Sequence, residues 1–319
     1  MKNLRLVFMG TPEFAVSILK GILDKGYNVV GVITAVDKKA GRGRKIHQSA
    51  VKKFALEQNL TILQPPNLKA PSFIEDLKAL NANLQVVVAF RMLPKVVWQM
   101  PKHGTFNLHA SLLPAYRGAA PINWAIINGE TQTGVTTFFI DDKIDTGEII
   151  LQKKCNIKDN ETAGELHDKL MDLGTKLVTK TIKKIKKGSI TTKPQPDREH
   201  KHAPKIFKDT CKINWNDNLD VIYNKVRGLS PYPVAWTVLK NGAQQTELKI
   251  YAAKTIVDSE NFNTNLKIGQ IIHSKKELYI VTKQGFLSIE ELQISGKRKM
   301  DVKSFLNGYK LFDDALVCD

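Results

Sequence analysis

LRLVFMGTPEFAVSILKGILDKGYNVVGVITA, residues 4–35, decides the fold. Its first seven residues are mostly apolar, the pattern of a short buried strand. Residues 11–26 then carry apolar side chains at helical spacing. Thr11 stands where it can cap that helix, Pro12 suits its first position, Glu13 meets the positive end of the dipole, and Gly26 stops it. NVVGVITA (28–35) is the second strand. Strand, helix and strand in this order predict a parallel, Rossmann-like sheet. The turn MGTPEF is not G-x-G-x-x-G, so a dinucleotide site is not supported.

The alternation continues outward. SAVKKFALEQN (49–59) reads as a helix, TILQP (61–65) as the start of a strand, APSFIEDLKALN (70–81) as a helix and LQVVVAF (84–90) as a buried strand. PKVVWQM (94–100) makes a short helix, and TFNLH (105–109) is the next strand. Strand side chains alternate, so Asn107 and His109 share one face while Phe106 and Leu108 point into a core. An amide and an imidazole thus stand side by side where a strand ends, and in open α/β sheets that end is where ligands bind. A lone His at such a place is more often a structural hydrogen-bonding group. SLLPAYRGAAP (111–121) is rich in Pro, Gly and small residues, a loop whose backbone can approach a ligand. APINWAIINGETQTG (120–134) predicts a helix stopped at Gly129, and VTTFFI (135–140) a strand. In DDKIDTGEIILQKK (141–154), Asp145, Thr146 and Gly147 form a turn before a further strand. Asp-Thr-Gly between strands is ordinary turn chemistry when read alone.

With 319 residues the chain has room for two domains and a sizeable core, and 42% apolar with 25% charged residues places it among globular proteins. Lys and Arg number 48 against 31 Asp and Glu, a net +17 that predicts attraction to a polyanion, nucleic acid or an anionic membrane surface. Cys155, Cys211 and Cys318 are widely spaced and odd in number, which argues against a disulfide or metal framework and for a reducing cytosol. The N-terminus enters a strand pattern at once, leaving no room for a signal peptide, and no apolar run approaches the ~20 residues that span a bilayer. A cytoplasmic protein without a membrane partner is expected.

DKKAGRGRKIHQ (37–48) breaks the α/β rhythm. Five of its residues 37–45 are Lys or Arg, two are Gly, and no apolar period appears before Ile46. A basic loop of this kind can mould onto phosphates, or simply lie solvated on the surface. ETAGELHDKLMDLGTKLVTKTIKKIKKG (161–188) predicts a long amphipathic helix with Leu166, Leu170, Leu173, Leu177, Ile182 and Ile185 on one face. Lysines crowd its C-terminal end, where they complement the dipole. SITTKPQPDREHKHAPKI (189–206) has three prolines and no period, and reads as a linker; His200 and His202 lack further ligands at metal spacing. After a helix within 211–236, the runs AWTVL, ELKIYAA, KIGQII, ELYIVT and GFLSIEELQI are short and alternating, which predicts a small β-barrel. A basic knot, GKRK (296–299), precedes a last helix, DVKSFLNG (301–308). The domain reading is therefore 1–188, a linker over 189–206, and 207–319.

NLHxSLLPxYRGxAP (107–121) resembles the signature of the formyltransferases that use 10-formyltetrahydrofolate, and VFMGTPEFA (7–15) is similar to the methionyl-tRNA formyltransferases among them. The resemblance covers essentially the whole chain. It implies the formyltransferase fold, a Rossmann-like and mostly parallel sheet, followed by a smaller OB-like barrel of a kind that commonly binds nucleic acid. It implies formylation of the amino group of initiator methionyl-tRNA, with folate and that tRNA as partners and no metal. It makes Asp145 the third catalytic residue beside Asn107 and His109, and gives the folate pocket to Ser111, Leu112, Leu113 and Pro114. It also implies that Phe14 faces the methionyl side chain, that Arg42 in the AGRG insert enters the acceptor arm of the tRNA, and that Lys205 in the linker meets tRNA. Two positions depart from the family pattern: Arg91 stands where a glycine is usual, adding bulk near the expected folate pocket, and Ala115 stands where a basic residue is frequent.

The chemistry calls for these residue types. Attack of a primary amine on a formyl group develops an oxyanion, to which the Asn107 amide and a protonated His109 can donate. Asp145 can orient the imidazole and take the amine's proton, directly or through water. No serine nucleophile, metal or covalent intermediate is needed. Two other readings remain open: a formyltransferase acting on a sugar nucleotide or other small amine, and a non-catalytic RNA-binding protein in which the barrel does the work. A monomer is expected, since nothing in the sequence points to an obligate dimer.

Overall fold

The computed structural model describes residues 3–40, 45–196, 200–257 and 266–318. The chain divides into two compact units, one comprising Met1–Gly118, Thr133–Cys155 and His167–His202, the other Ala119–Gln132, Asn156–Leu166 and Ala203–Asp319.

The first unit is built on a seven-stranded sheet in the order Ile149–Asn156, Gln132–Phe139, Thr105–His109, Leu84–Val88, Arg5–Gly10, Asn28–Ile33 and Ile62–Leu63. The last five pair in parallel, and Gln132–Phe139 runs antiparallel to Thr105–His109. This is the mostly parallel sheet that the alternation of strand and helix patterns predicts. Every residue of Leu84–Val88 is buried, which is why that run shows no polar alternation: both faces of a parallel sheet are covered. Helix Glu13–Asp24 presents Ala15, Ile18, Leu19 and Ile22, all with no solvent exposure. It begins one turn position later than the sequence suggests. Pro12 is the N-cap and no side chain caps the helix, so Thr11 does not take the capping role expected of it. The turn from strand to helix is tight. A Cβ added at Gly10 would stand 2.6 Å from the Ala15 Cβ and 3.0 Å from the Val88 carbonyl oxygen.

Helix Ala50–Glu57 is capped by Ser49, whose hydroxyl accepts the Lys52 N–H at 3.0 Å and shares a 2.7 Å hydrogen bond with the hydroxyl of the fully buried Thr34. Ser49→Ala removes the cap and one partner of a buried hydroxyl, so it should cost about 1–2 kcal/mol; urea unfolding of the two proteins in parallel measures it. The basic stretch that follows the second strand is not an irregular loop throughout. Lys38–Ala40 and Lys45–His47 pair as two short antiparallel strands, with Lys38 opposite His47. Pairing of this kind is set by the backbone and leaves no apolar period, since Ile46 is 65% exposed. Asp37 at its base receives the Gln64 amide at 2.8 Å and the Lys52 ammonium at 2.6 Å, contacts that hold its carboxyl below the ordinary range. Arg42 lies outside the described residues.

Helix Ala163–Lys187 is the long amphipathic helix expected; Leu170, Leu177, Ile182 and Ile185 are buried along it. Thr181 bonds the Thr137 hydroxyl at 2.9 Å, a buried polar tie between helix and sheet.

The second unit contains an antiparallel sheet in the order Ile271–His273, Leu278–Thr282, Gly285–Ile294, Gln244–Ile256, Ala235–Asn241 and Leu316–Cys318. A bridge between Gln270 and Leu316 brings its two ends together, so the sheet is a nearly closed barrel. Trp215, Ile222, Val226, Leu248, Ile250, Leu292 and Phe305 share its core. The Trp215 indole N–H donates to Thr237 at 2.9 Å, the partner a buried indole needs. Helix Val302–Gly308 starts at Asp301, whose carboxylate caps the Ser304 N–H. Helix Pro121–Ile127 also belongs to this unit, through Asn123 donating to the Gly228 carbonyl at 2.8 Å. It ends at its C-cap Asn128, and Gly129 follows with a left-handed φ of 71°, the stop that the sequence places there. Among the described residues no helix is long and apolar enough to cross a membrane.

Candidate active site

The site forms where Thr105–His109 ends. Phe106 and Leu108 are buried, 0% and 3% exposed, on one face of the strand. Asn107 and His109 occupy the other face, Asn107 partly exposed and His109 7% exposed. The imidazole Nδ1 lies 3.8 Å from Asp145 Oδ2. The structure therefore brings the strand-end pair and the acidic turn, 36 residues on, to one place.

The turn carrying Asp145 is held by its own residues. Thr146 donates its hydroxyl to Asp141 at 2.7 Å, and the Lys143 N–H reaches the same carboxylate oxygen at 3.1 Å. A Cβ on Gly147 would come within 1.7 Å of the Phe139 carbonyl oxygen. The Asp-Thr-Gly turn is thus legible after the fact. Threonine ties it, glycine admits the neighbouring backbone, and Asp145 adopts a left-handed φ of 56° that throws its carboxylate toward the strand end. There Oδ2 accepts the backbone N–H of Gly118 at 2.9 Å.

His109 Nε2 lies 2.8 Å from the carbonyl oxygen of Tyr116. A carbonyl only accepts, so Nε2 carries the proton and Nδ1 is the nitrogen turned toward Asp145. Tyr116 reaches this position through a left-handed φ of 61°, with its own N–H donated to the Lys201 carbonyl at 2.6 Å. Ala89, just past the strand beside Thr105–His109, is left-handed as well at 46°. Such conformations cost about 1–3 kcal/mol each and concentrate at functional sites. The Tyr116 carbonyl and the Gly118 amide are the contributors that sequence reading misses, because a backbone group has no signature beyond the YRG loop that carries it.

The loop after the strand is closely tied. Ser111, fully buried, donates its hydroxyl to the Ala115 carbonyl at 2.6 Å. Thr136 donates to the Ser111 carbonyl at 2.7 Å and accepts the Leu113 N–H at 3.2 Å, while Gln152 donates to the Leu113 carbonyl at 2.9 Å. Leu113 and Pro114 are buried; Leu112 and Ala115 are partly exposed. Phe14 is 7% exposed, and its ring meets His167 edge-on with centroids 5.2 Å apart. Lys205 belongs to the second unit, exposed, its ammonium 5.3 Å from the centre of the Phe207 ring. The Arg91 guanidinium donates to the Pro66 carbonyl at 3.0 Å and to that of Pro65, which commits its bulk to the 65–66 turn. Among the described residues no group of three or more His, Cys, Asp or Glu side chains could hold a metal ion.

An imidazole nitrogen thus faces a carboxylate fixed by a backbone N–H, at the end of a strand whose same face carries the Asn107 amide. A carboxylate oriented by one hydrogen bond keeps lone pairs for a proton.

Two family models match the chain: formyl transferase over residues 4–182, and formyl transferase, C-terminal domain, over residues 205–310. A methionyl-tRNA formyltransferase of Flavobacterium johnsoniae is 57% identical over 99% of this chain and 100% of its own length. One from Bacteroides thetaiotaomicron is 48% identical over 98% of both chains. Among solved structures, the sugar 3N-formyl transferase WlaRD, crystallised with dTDP and 5-N-formyl-THF, superposes with a TM-score of 0.63 at 23% identity, covering 93% of this chain and 100% of that one. HypX from Aquifex aeolicus, in complex with tetrahydrofolic acid, superposes with a TM-score of 0.63 at 16% identity, over 96% of this chain and 47% of that one.

Proposed function

The chain belongs to the formyl transferase family, and on that premise we propose that it transfers the formyl group of 10-formyltetrahydrofolate to the free amino group of initiator methionyl-tRNA, giving the N-formylmethionyl-tRNA of translation initiation. Relatives at 48–57% identity over nearly their whole length carry the methionyl-tRNA formyltransferase name. The net charge of +17 suits a polyanionic substrate. The observation that carries the chemistry is the meeting of His109 Nδ1 and Asp145 Oδ2 at the strand end that bears Asn107.

The folate, when bound, supplies a formyl carbon attached to nitrogen. The amine nitrogen forms a bond to that carbon, its oxygen becomes an oxyanion, and collapse of the oxyanion breaks the bond to the folate nitrogen. The proton lost by the amine ends on the departing nitrogen. Asn107 donates its amide to the oxyanion. Because Nε2–H of His109 is held by the Tyr116 carbonyl, donation to the oxyanion comes from Nδ1–H of the protonated imidazolium. Asp145 holds that ring and receives the amine's proton, directly or through water. Ser111, Leu112, Leu113 and Pro114 line the folate side, Phe14 meets the methionyl side chain, Arg42 enters the acceptor arm of the tRNA and Lys205 meets tRNA. The catalytic work falls to residues within 1–188 and tRNA binding to residues within 207–319 of a cytoplasmic monomer, with 189–206 as the connecting segment.

The test is formyl transfer from 10-formyltetrahydrofolate to charged initiator tRNA, run beside a 3-amino sugar nucleotide. Formylation of the tRNA with no product on the amino sugar is the expected result. The reverse preference removes the tRNA assignment, and no transfer to either acceptor removes the enzyme.

A further inference from the structure

The segment that reads as a linker contributes to the site. Lys193 forms a two-bond bridge with Ile149, at 2.8 and 2.9 Å, which lays the chain beside the strand that follows the acidic turn. Two residues on, Gln195 reaches the turn itself. Its Nε2 donates to the carbonyl of Asp145 at 2.8 Å and to that of Gly147 at 2.9 Å. Its Oε1 accepts from Arg117, from Nε at 3.1 Å and from an Nη at 2.6 Å. The partners fix the amide's orientation, since carbonyls only accept and a guanidinium only donates.

Arg117 lies between the two residues whose backbone groups hold the pair, Tyr116 on His109 and Gly118 on Asp145. One amide therefore closes a circuit: acidic turn, Gln195, Arg117, the 116–118 backbone, and back to the imidazole and carboxylate. We infer that Gln195 is a positioning residue for the reaction, holding Asp145 in its left-handed conformation and locking that turn to the loop that orients His109. This rests on the catalytic reading of Asp145. A backbone φ of 56° on a non-glycine residue persists only if surrounding contacts over-determine it, and two hydrogen bonds across residues 145 and 147 do that.

Gln195→Glu tests the inference, because glutamate keeps the side-chain length and the acceptor for Arg117 but has no N–H for the two carbonyls. Expected is a fall in kcat of about 10–100-fold, with KM for methionyl-tRNA and for the formyl donor within about threefold. In an Asp145→Asn background the same change should cost less than about twofold more, since residues that act through one group are not additive. Gln195→Met, uncharged and of similar length, gives the same reading if the glutamate variant does not fold. Unchanged kcat in a folded variant, or losses that multiply in the double variant, overturns the role of Gln195. If Asp145→Asn alone leaves turnover intact, the catalytic reading fails and this inference with it; if that variant is slow and Gln195→Glu is not, only the inference fails.

Discussion

Asp145→Asn should lower kcat by about 10²–10⁴ while methionyl-tRNA still binds within about twofold. The substitution is close to isosteric, and the Asn oxygen can still accept the Gly118 N–H that fixes the carboxylate now. What it loses is charge and basicity at the carboxylate that lies 3.8 Å from His109 Nδ1. An amide neither takes the amine's proton nor steadies a cationic ring. Because the turn is held by Thr146 on Asp141 and by the Gly147 approach, neither of which changes, the melting temperature should stay where it is. Single-turnover formyl transfer with saturating tRNA reads the chemical step, and filter binding reads affinity. Turnover equal to the parent protein would take Asp145 out of the mechanism.

Gly147→Ala should damage both stability and activity. The added methyl would stand 1.7 Å from the Phe139 carbonyl oxygen and 2.9 Å from its carbon. Both are backbone atoms of a strand in the central sheet, so no side chain can swing aside to make room. Either the strand end or the acidic turn moves. Overpacking of this kind costs about 1–3 kcal/mol, and more where backbone must shift. At about 2–4 °C per kcal/mol for a unit of this size, the melting temperature should fall by several degrees. Asp145 lies two residues away, and a displacement on the order of 1 Å at a reacting group can cost about 10²-fold in rate. Calorimetry and kinetics on one preparation separate this variant from Asp145→Asn: there only the rate drops, here rate and melting temperature drop together. A variant with parental melting temperature would mean that the turn absorbs the methyl group without moving the strand.

Much of the molecule is legible along the chain, for identifiable reasons. The 84–90 run reads as a buried strand because a parallel strand covered on both faces needs apolar residues at every position, and Leu84–Val88 is buried throughout. Asn107 and His109 fall on one face because strand side chains alternate, whatever lies around them. The barrel announces itself through short alternating runs, and 235–241 shows the alternation residue by residue in its burial. Errors cluster at ends and turns. Thr11 has the chemistry of a cap, yet Pro12 takes the position, since the tight approach of Gly10 to Ala15 and Val88 sets where the helix begins. The basic stretch around 38–47 pairs as a ribbon that no hydrophobic period could reveal. The Arg91 guanidinium donates to the carbonyls of Pro65 and Pro66, a contact between residues some 25 positions apart that no local pattern carries.

Local periodicity was sufficient for the two-part architecture and for the strand-end amide and imidazole, because those follow from repeats of two and 3.6 residues that a chain carries with it before it folds. How Asp145 is held, which nitrogen of His109 faces it, and why Gln195 matters depend on backbone carbonyls and amides that look alike at every position. Such groups acquire identity only when chain closure brings residues 109, 116–118, 145 and 195 within hydrogen-bonding distance, a contact order no reading of neighbours along the sequence contains.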